Sequence, residues 1–287
     1  MKPTNENLRE HAVPPLTQWL IHAAKRRSSI TYGEAQLRLE KEIGFSRIGR
    51  STRMGVPAGA LMDRIWAVRD DCPPVNVLLV RQDDRLPGKG VGGYMAKYLN
   101  NPRLKSKGFR DENRKQWQSA CDEIATAVYA FNGWGQIYAE AFGERLPDLV
   151  PSAEGSEKDG IRNARGGEGP NHEALRLWVK KHPRKIRQAY ASFRTDTEVV
   201  LDSADRVDVV YYGPDSTVVI EVKSSDSNDT DLRRGVFQCI KYRAVMAAMD
   251  IRLKPRIEAL LVTQRKLPSD LRPLLRLHNI RHFIKAP

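Results

Sequence analysis

Nineteen residues, RVDVVYYGPDSTVVIEVKS from Arg206 to Ser224, constrain this chain more than any other stretch. Val, Ile and Tyr on both sides of a Gly-Pro-Asp turn signal describe two strands of a half-covered sheet joined as a hairpin. A symmetric turn at Gly213–Ser216 sets Asp208 opposite Glu221. Directly opposed residues share a face, and so do residues two apart on one strand. Asp208, Glu221 and Lys223 therefore converge on one spot of the sheet. Two carboxylates brought together repel and titrate upward unless something compensates them. A divalent cation does so, and oxygen ligands with retained water suit Mg²⁺, with Mn²⁺ able to take its place. Lys223 then stands where it can orient a water or stabilise charge on a phosphoryl group. The plain alternative is an exposed cross-strand ion pair between Lys223 and Asp208.

The rest of the C-terminal part surrounds that hairpin with alternating elements. HEALRLWVKKHPRKI predicts a helix with Asn171 as its N-cap, followed by a strand near TEVVLD. After the hairpin, a helix is expected from about Leu232 to Met249, capped by Thr230 or Asp231. IEALLVT, SDLRPLLRL and IRHFI then read as strand, helix and strand. Such an order describes an α/β domain, a mixed sheet with helices packed on it. The Gly-, Pro- and Ser-rich residues 146–170 read as a linker or long loop. They separate residues 1–145, mostly helical by pattern, from the α/β part, 171–287. In the first part PLTQWLIHAAKR, YGEAQLRLEKEI and ENRKQWQSACDEIATAVYAF have helical spacing. PPVNVLLVRQ reads as a strand. RLPGKGVGGY reads as a turn-rich surface loop, since it lacks the order of a phosphate loop.

Charge narrows the partners. The formal net charge is +13, and the first 150 residues hold 23 Lys+Arg against 17 Asp+Glu. A basic surface spread over both parts attracts polyanions, nucleic acid foremost. Three cysteines, Cys72, Cys121 and Cys239, lie far apart and suggest neither a zinc cage nor a disulfide framework. No apolar run approaches a membrane span, and the start MKPTNENLRE lacks the apolar core of a signal peptide. The expectation is a reduced, cytoplasmic protein without a membrane partner.

Asp208, twelve intervening residues and then Glu221-Val222-Lys223 resemble the D…ExK core of the PD-(D/E)xK nuclease superfamily. Glu173 lies in the preceding helix, where that family often carries an acidic residue. Gln238-Cys-Ile-Lys-Tyr242 in the following helix is similar to the QxxxY motif of its RecB-like members. The resemblance covers residues 168–264 and implies a restriction-endonuclease-like sheet flanked by helices. It implies Mg²⁺ ligands at Asp208, Glu221, the Val222 carbonyl and Glu173, with Glu168 as an alternative to Glu173. Lys223 would serve the attacking water, and Gln238 and Tyr242 would support the site or touch the nucleic-acid backbone. His172 is a further candidate for metal or phosphate. The family's proline is absent, since Val207 precedes Asp208. Arg234 and Lys241, with Arg233 and Arg243, become candidate phosphate contacts.

Residues 30–56 resemble faintly the DNA-binding segment of alkyltransferase-like proteins, with TYGE leading into an Arg- and Gly-rich stretch. The alkyl-acceptor PCHR motif is missing. A winged-helix domain with Arg47, Arg50, Arg53 and Arg64 toward phosphates is the expectation this implies. Together these readings describe a metal-dependent endonuclease of double-stranded DNA, of restriction, phage-defence or DNA-processing type. A homodimer would serve two cuts in two strands. Action on RNA or branched DNA, or nucleic-acid binding without catalysis, are the alternatives.

Overall fold

The computed structural model describes residues 1–49, 51–106, 108–148 and 169–286. Arg50, Glu168 and most of the expected linker lie outside the described residues. One compact unit consists of Met1–Leu149 with Met249–Leu253, the other of Val150–Ala248 with Lys254–Pro287.

The first unit is mostly helical: α1 (Asn5–His11), α2 (Val13–Arg26), α3 (Tyr32–Glu42), α4 (Gly55–Val68), α5 (Gly92–Tyr98), α6 (Phe109–Glu112), α7 (Arg114–Ala130) and α8 (Trp134–Phe142). Their apolar stripes meet in one core. Leu16, Leu20 and Ala24 of α2 join Leu61 and Ile65 of α4 and Trp117, Ile124 and Val128 of α7. The TYGE residues form a capping box. Thr31 Oγ1 accepts the Glu34 N–H at 3.1 Å, and the Glu34 carboxylate accepts the Thr31 N–H at 2.6 Å. The expected strand PPVNVLLVRQ is mainly a 3₁₀ turn, Val75–Leu78. Only β2 (Leu79–Val80) extends, pairing parallel with β1 (Ile30–Thr31). A short, wholly buried apolar run is compatible with either conformation, and the pattern alone does not choose. Nor is GKGVGGY a plain loop, because Gly92 and Gly93 open α5. A Cβ on Gly92 would lie 2.3 Å from the Leu104 carbonyl oxygen, so close backbone approach requires glycine there. Among the described residues of this unit, the only antiparallel pairing is a bridge between Val80 and Pro87, not the hairpin of a wing. Ile251 completes this core, and the Leu253 N–H donates to the Asp122 carboxylate at 3.2 Å.

The second unit is an α/β layer structure. It contains α9 (Pro170–Lys181), α10 (Pro183–Ile186), β3 (Arg194–Val200), β4 (Arg206–Tyr212), β5 (Thr217–Lys223), α11 (Asp229–Met249), β6 (Ile257–Thr263), α12 (Leu271–Leu277) and β7 (Ile280–Ile284). The five strands lie in sequence order. β3, β4 and β5 are antiparallel neighbours, whereas β6 joins β5 and β7 joins β6 in parallel. α11 and α12 supply the crossovers that parallel pairs require. α9 covers one face of the sheet. Its Leu175 and Val179 pack with Val209, Tyr211, Val218, Ile220 and Val222, and the Tyr211 hydroxyl donates to the Val179 carbonyl at 2.5 Å.

Two helix starts differ from expectation. Gly169 precedes α9 at the cap position, and Asn171 is instead drawn away to the Asp226 carboxylate at 2.9 Å. α11 begins earlier because Asn228 caps it. Asn228 Oδ1 accepts the Asp231 N–H at 2.9 Å, and the Asp231 carboxylate accepts the Asn228 N–H at 3.2 Å. All three cysteines are free and buried. Among the described residues no helix is long and apolar enough to cross a membrane.

Candidate active site

The hairpin register fixes the centre. β4 and β5 pair from Tyr212↔Thr217 to Val209↔Ile220, and there the ladder ends. Continued, it would bring the Val222 N–H to a backbone carbonyl of β4. Asp208 Oδ2 accepts that N–H instead, at 2.9 Å. On its other side Asp208 is also free of the β3 ladder, which skips from Thr197↔Val209 to Val199↔Val207. The skipped β3 residue, Glu198, has a left-handed φ of 52°, and its carboxylate is bound by Arg176 and Arg206. The sheet therefore opens around Asp208.

Glu221 and Lys223 follow on β5. Glu221 is 2 % exposed, and Lys223 Nζ lies 2.6 Å from its Oε1. Oε2 of Glu221 is buried with no hydrogen-bond partner. Burial, and next the Asp208 carboxylate, push Glu221 up to about 8, with Lys223 opposing the rise. Without further positive charge the carboxyl thus holds its proton at neutral pH.

α11 completes the arrangement. Lys223 Nζ donates to Gln238 Oε1 at 3.1 Å, and Gln238 Nε2 donates to the Tyr242 hydroxyl at 3.0 Å. The one-turn spacing of Gln238 and Tyr242 makes this relay, because residues four apart share a helix face. Gly235, one turn earlier, is where the Lys223 stem passes. A Cβ there would meet Lys223 Cε at 2.9 Å and Leu261 Cδ1 at 3.1 Å. Its helical setting alone gave no reason to single it out.

The expected residues do not all gather. Asp208, Glu221, Val222, Lys223, Gln238 and Tyr242 do. Glu173 is exposed in the first turn of α9 and makes no hydrogen bond or ion pair with any of them. The preceding residue takes the inward position, with His172 Nε2 3.5 Å from Asp208 Oδ1. Adjacent helical residues point about 100° apart, so one position decides which side chain enters. Among the basic candidates, Arg234 pairs with Asp231 at 3.7 Å and Lys241 with Asp205 at 2.7 Å. Both remain half exposed. Arg233 is paired with Asp270, while Arg243 donates to the His278 carbonyl at 2.7 Å. In the first unit Arg47 and Arg53 are exposed, the latter donating to the Pro3 carbonyl at 3.1 Å. Arg64 is exposed too, but is bonded to the Ala141 carbonyl at 2.8 Å and lies over the Phe142 ring.

Would a metal ion fit? Among the described residues no three His, Cys, Asp or Glu side chains form a metal-holding group. The centre does offer two carboxylates, one with an unpartnered buried oxygen, against a single ammonium. The N–H and C=O of one strand residue project to the same side, so the Val222 carbonyl also faces the opened gap. Two carboxylates and a carbonyl, with water filling the remainder, suit a hard cation such as Mg²⁺. They do not suit a closed zinc cage.

No family model matches the sequence, and no curated protein matches it. Among solved structures, the chain is similar to "crystal structure of a repair endonuclease from Pyrococcus abyssi", at 18% identity and a TM-score of 0.32. The likeness covers 43% of this chain and 50% of that one, so the chain spans about half the length of that structure.

Proposed function

We propose that the second unit hydrolyses phosphodiester bonds as a Mg²⁺-dependent nuclease, with DNA as its substrate. The observation that carries this reading is the opening of the sheet at Asp208, which sets its carboxylate beside Glu221 and Lys223. A bound Mg²⁺, or Mn²⁺ in its place, supplies the positive charge that offsets negative charge developing on the phosphoryl oxygens. Asp208, Glu221 and the Val222 carbonyl would hold it. A cation held there would favour the ionised form of Glu221 and leave the Lys223 ammonium available to the attacking water. Lys223 can then hold and orient the attacking water in line with the phosphorus. Gln238 positions the ammonium, and Tyr242 positions Gln238. His172 orients the free oxygen of Asp208. Arg234 and Lys241 exchange their surface partners, each worth little in water, for backbone phosphates.

DNA is proposed on the net charge of +13, which attracts polyanions, and RNA and branched DNA are the competing substrates that the test includes. In this reading the first unit, with Arg47, Arg50 and Arg53, delivers the duplex. The test is cleavage of plasmid and linear duplex by wild type, Asp208→Ala and Lys223→Ala, each with Mg²⁺, Mn²⁺ or EDTA, with RNA and branched DNA in parallel. Metal-dependent cutting by wild type, lost in both variants, is expected. Salt-sensitive binding by wild type without cutting of any substrate would overturn the enzyme and leave a binding protein.

A further inference from the structure

We infer that a second site, at the opposite end of the sheet from the carboxylates, binds a small anion carrying one or two phosphate groups. A cavity of about 230 Å³ opens there, lined by Arg243, Arg256, Ile257, Glu258, Asn279 and Arg281. β5 and β6 run parallel from Thr217↔Ile257 to Lys223↔Thr263. Ile257 marks the start of β6, so the cavity lies about 20 Å along the strands from Lys223. This inference does not rest on the nuclease reading.

The case is one of charge and unused donors. Glu258 is the one carboxylate in the lining, and the Tyr190 hydroxyl donates to its Oε2 at 3.1 Å. Around it stand the guanidiniums of Arg281 at 3.5 Å, Arg256 at 3.7 Å and Arg187 at 3.9 Å. Those are ion-pair separations beyond a good hydrogen bond. Arg243 joins Arg256 and Arg281 in the lining, anchored to the His278 carbonyl at 2.7 Å. One carboxylate cannot neutralise the three arginines of the lining, with Arg187 beside it as a further cation. Each guanidinium carries five donors in a fixed fork that matches phosphate oxygens. A volume below the roughly 300–1,000 Å³ of pockets for drug-sized ligands limits the occupant to a compact group. A small phosphate anion fits the charge, the forks and the size. Arg243 directly follows Tyr242 on α11, so such an anion would tie the helix of the catalytic relay to the starts of β6 and β7.

Inorganic pyrophosphate is the probe, titrated calorimetrically into the full chain with EDTA present and ionic strength held by NaCl. Wild type is expected to bind with Kd below about 1 mM. Arg256→Gln with Arg281→Gln, both exposed enough to leave folding intact, should weaken binding at least about tenfold, a loss of one power of ten in Kd. Arg9→Gln with Lys41→Gln, an equal charge change in the first unit, should bind as wild type does. Glu258→Gln removes the competing charge, keeps an acceptor for Tyr190 and should tighten binding. Displacement by a short single-stranded oligonucleotide supports a backbone phosphate as the source, and failure to displace supports a free ligand. Equal binding by wild type and the Arg256/Arg281 variant, or weaker binding by Glu258→Gln, overturns the site.

Discussion

Glu198 stands opposite Asp208 in the β3–β4 register with a φ of 52°, and the ladder skips both residues. A non-glycine residue in that left-handed conformation costs about 1–2 kcal/mol. The chain carries this strain at the position that releases Asp208 from regular pairing. Sheets that serve only as scaffold have no reason to retain it, and strained backbone concentrates where chemistry requires an unusual geometry. Freed on both sides, Asp208 has one oxygen on the Val222 N–H and the other beside His172.

Asp208 has a structural duty and, in the proposed reaction, a chemical one, and two substitutions separate them. Asn keeps an acceptor oxygen for the Val222 N–H but loses the charge. Ala leaves a buried N–H unmade, at about 1–3 kcal/mol. Urea unfolding should show Asp208→Asn close to wild type and Asp208→Ala destabilised by that amount, while both lose at least about 10²-fold in cleavage rate, the scale of one lost preorganised electrostatic contact. An active Asp208→Asn would remove Asp208 from the metal ligands.

Glu221 makes the metal-free protein sensitive to pH in a definite direction. Its folded value is pushed up to about 8 from an ordinary 4.5. Below 4.5 both folded and unfolded chains hold the proton and nothing is lost. Between 4.5 and 8 the unfolded chain releases it first, so stability falls as pH rises, by up to about 1.4 kcal/mol per unit. Glu221→Gln should therefore raise Tm over wild type increasingly from pH 5 to 8 in EDTA. Saturating Mg²⁺ should stabilise wild type but not the variant. A Tm difference independent of pH would mean Glu221 is ionised without the metal.

His22 predicts the opposite slope in the first unit. Burial, with Lys25 next, lowers it to about 4, and its Nε2 lies 3.0 Å from the Pro147 carbonyl. From pH 6.5 down to 4 the unfolded chain takes up a proton that the folded one refuses, so stability is lost as pH falls. Thermal unfolding of His22→Gln against wild type should show wild type losing its advantage across that window. Parallel curves would place the acid sensitivity elsewhere.

Much of the second unit was legible because a strand period of two leaves little freedom. One turn at Gly213–Ser216 sets the whole register, and with it the meeting of Asp208, Glu221 and Lys223. Gln238 and Tyr242 were singled out by a motif resemblance, and their spacing of four residues then fits the relay. Glu173 is exposed instead, and the neighbouring His172 of α9 lies beside Asp208, a choice between adjacent helical positions that the sequence pattern leaves open. The 3₁₀ turn at Val75–Leu78 was hidden because a buried apolar run has no period to read. The arginines around Glu258 were beyond reach for another reason. Arg243, Arg256 and Arg281 are far apart in sequence and line one cavity only when α11, β6 and β7 are in place.

Gly235 offers the sharpest separation of stability from activity. Replacing a glycine inside a helix by alanine normally stabilises by about 1 kcal/mol, because the unfolded chain loses freedom. At this position the new methyl group would press on Lys223 Cε at 2.9 Å. The stem of a lysine is flexible and can yield, so the helix keeps most of its gain while the ammonium is moved from Glu221 and Gln238. Misplacement of about 1 Å at a reacting centre lowers rates on the order of 10²-fold. Gly235→Ala should therefore melt within a few degrees of wild type yet cleave at least about tenfold more slowly, with substrate binding unchanged. Full activity in that variant would show that Lys223 works from more than one position, and would take Gly235 and the Gln238 relay out of the mechanism.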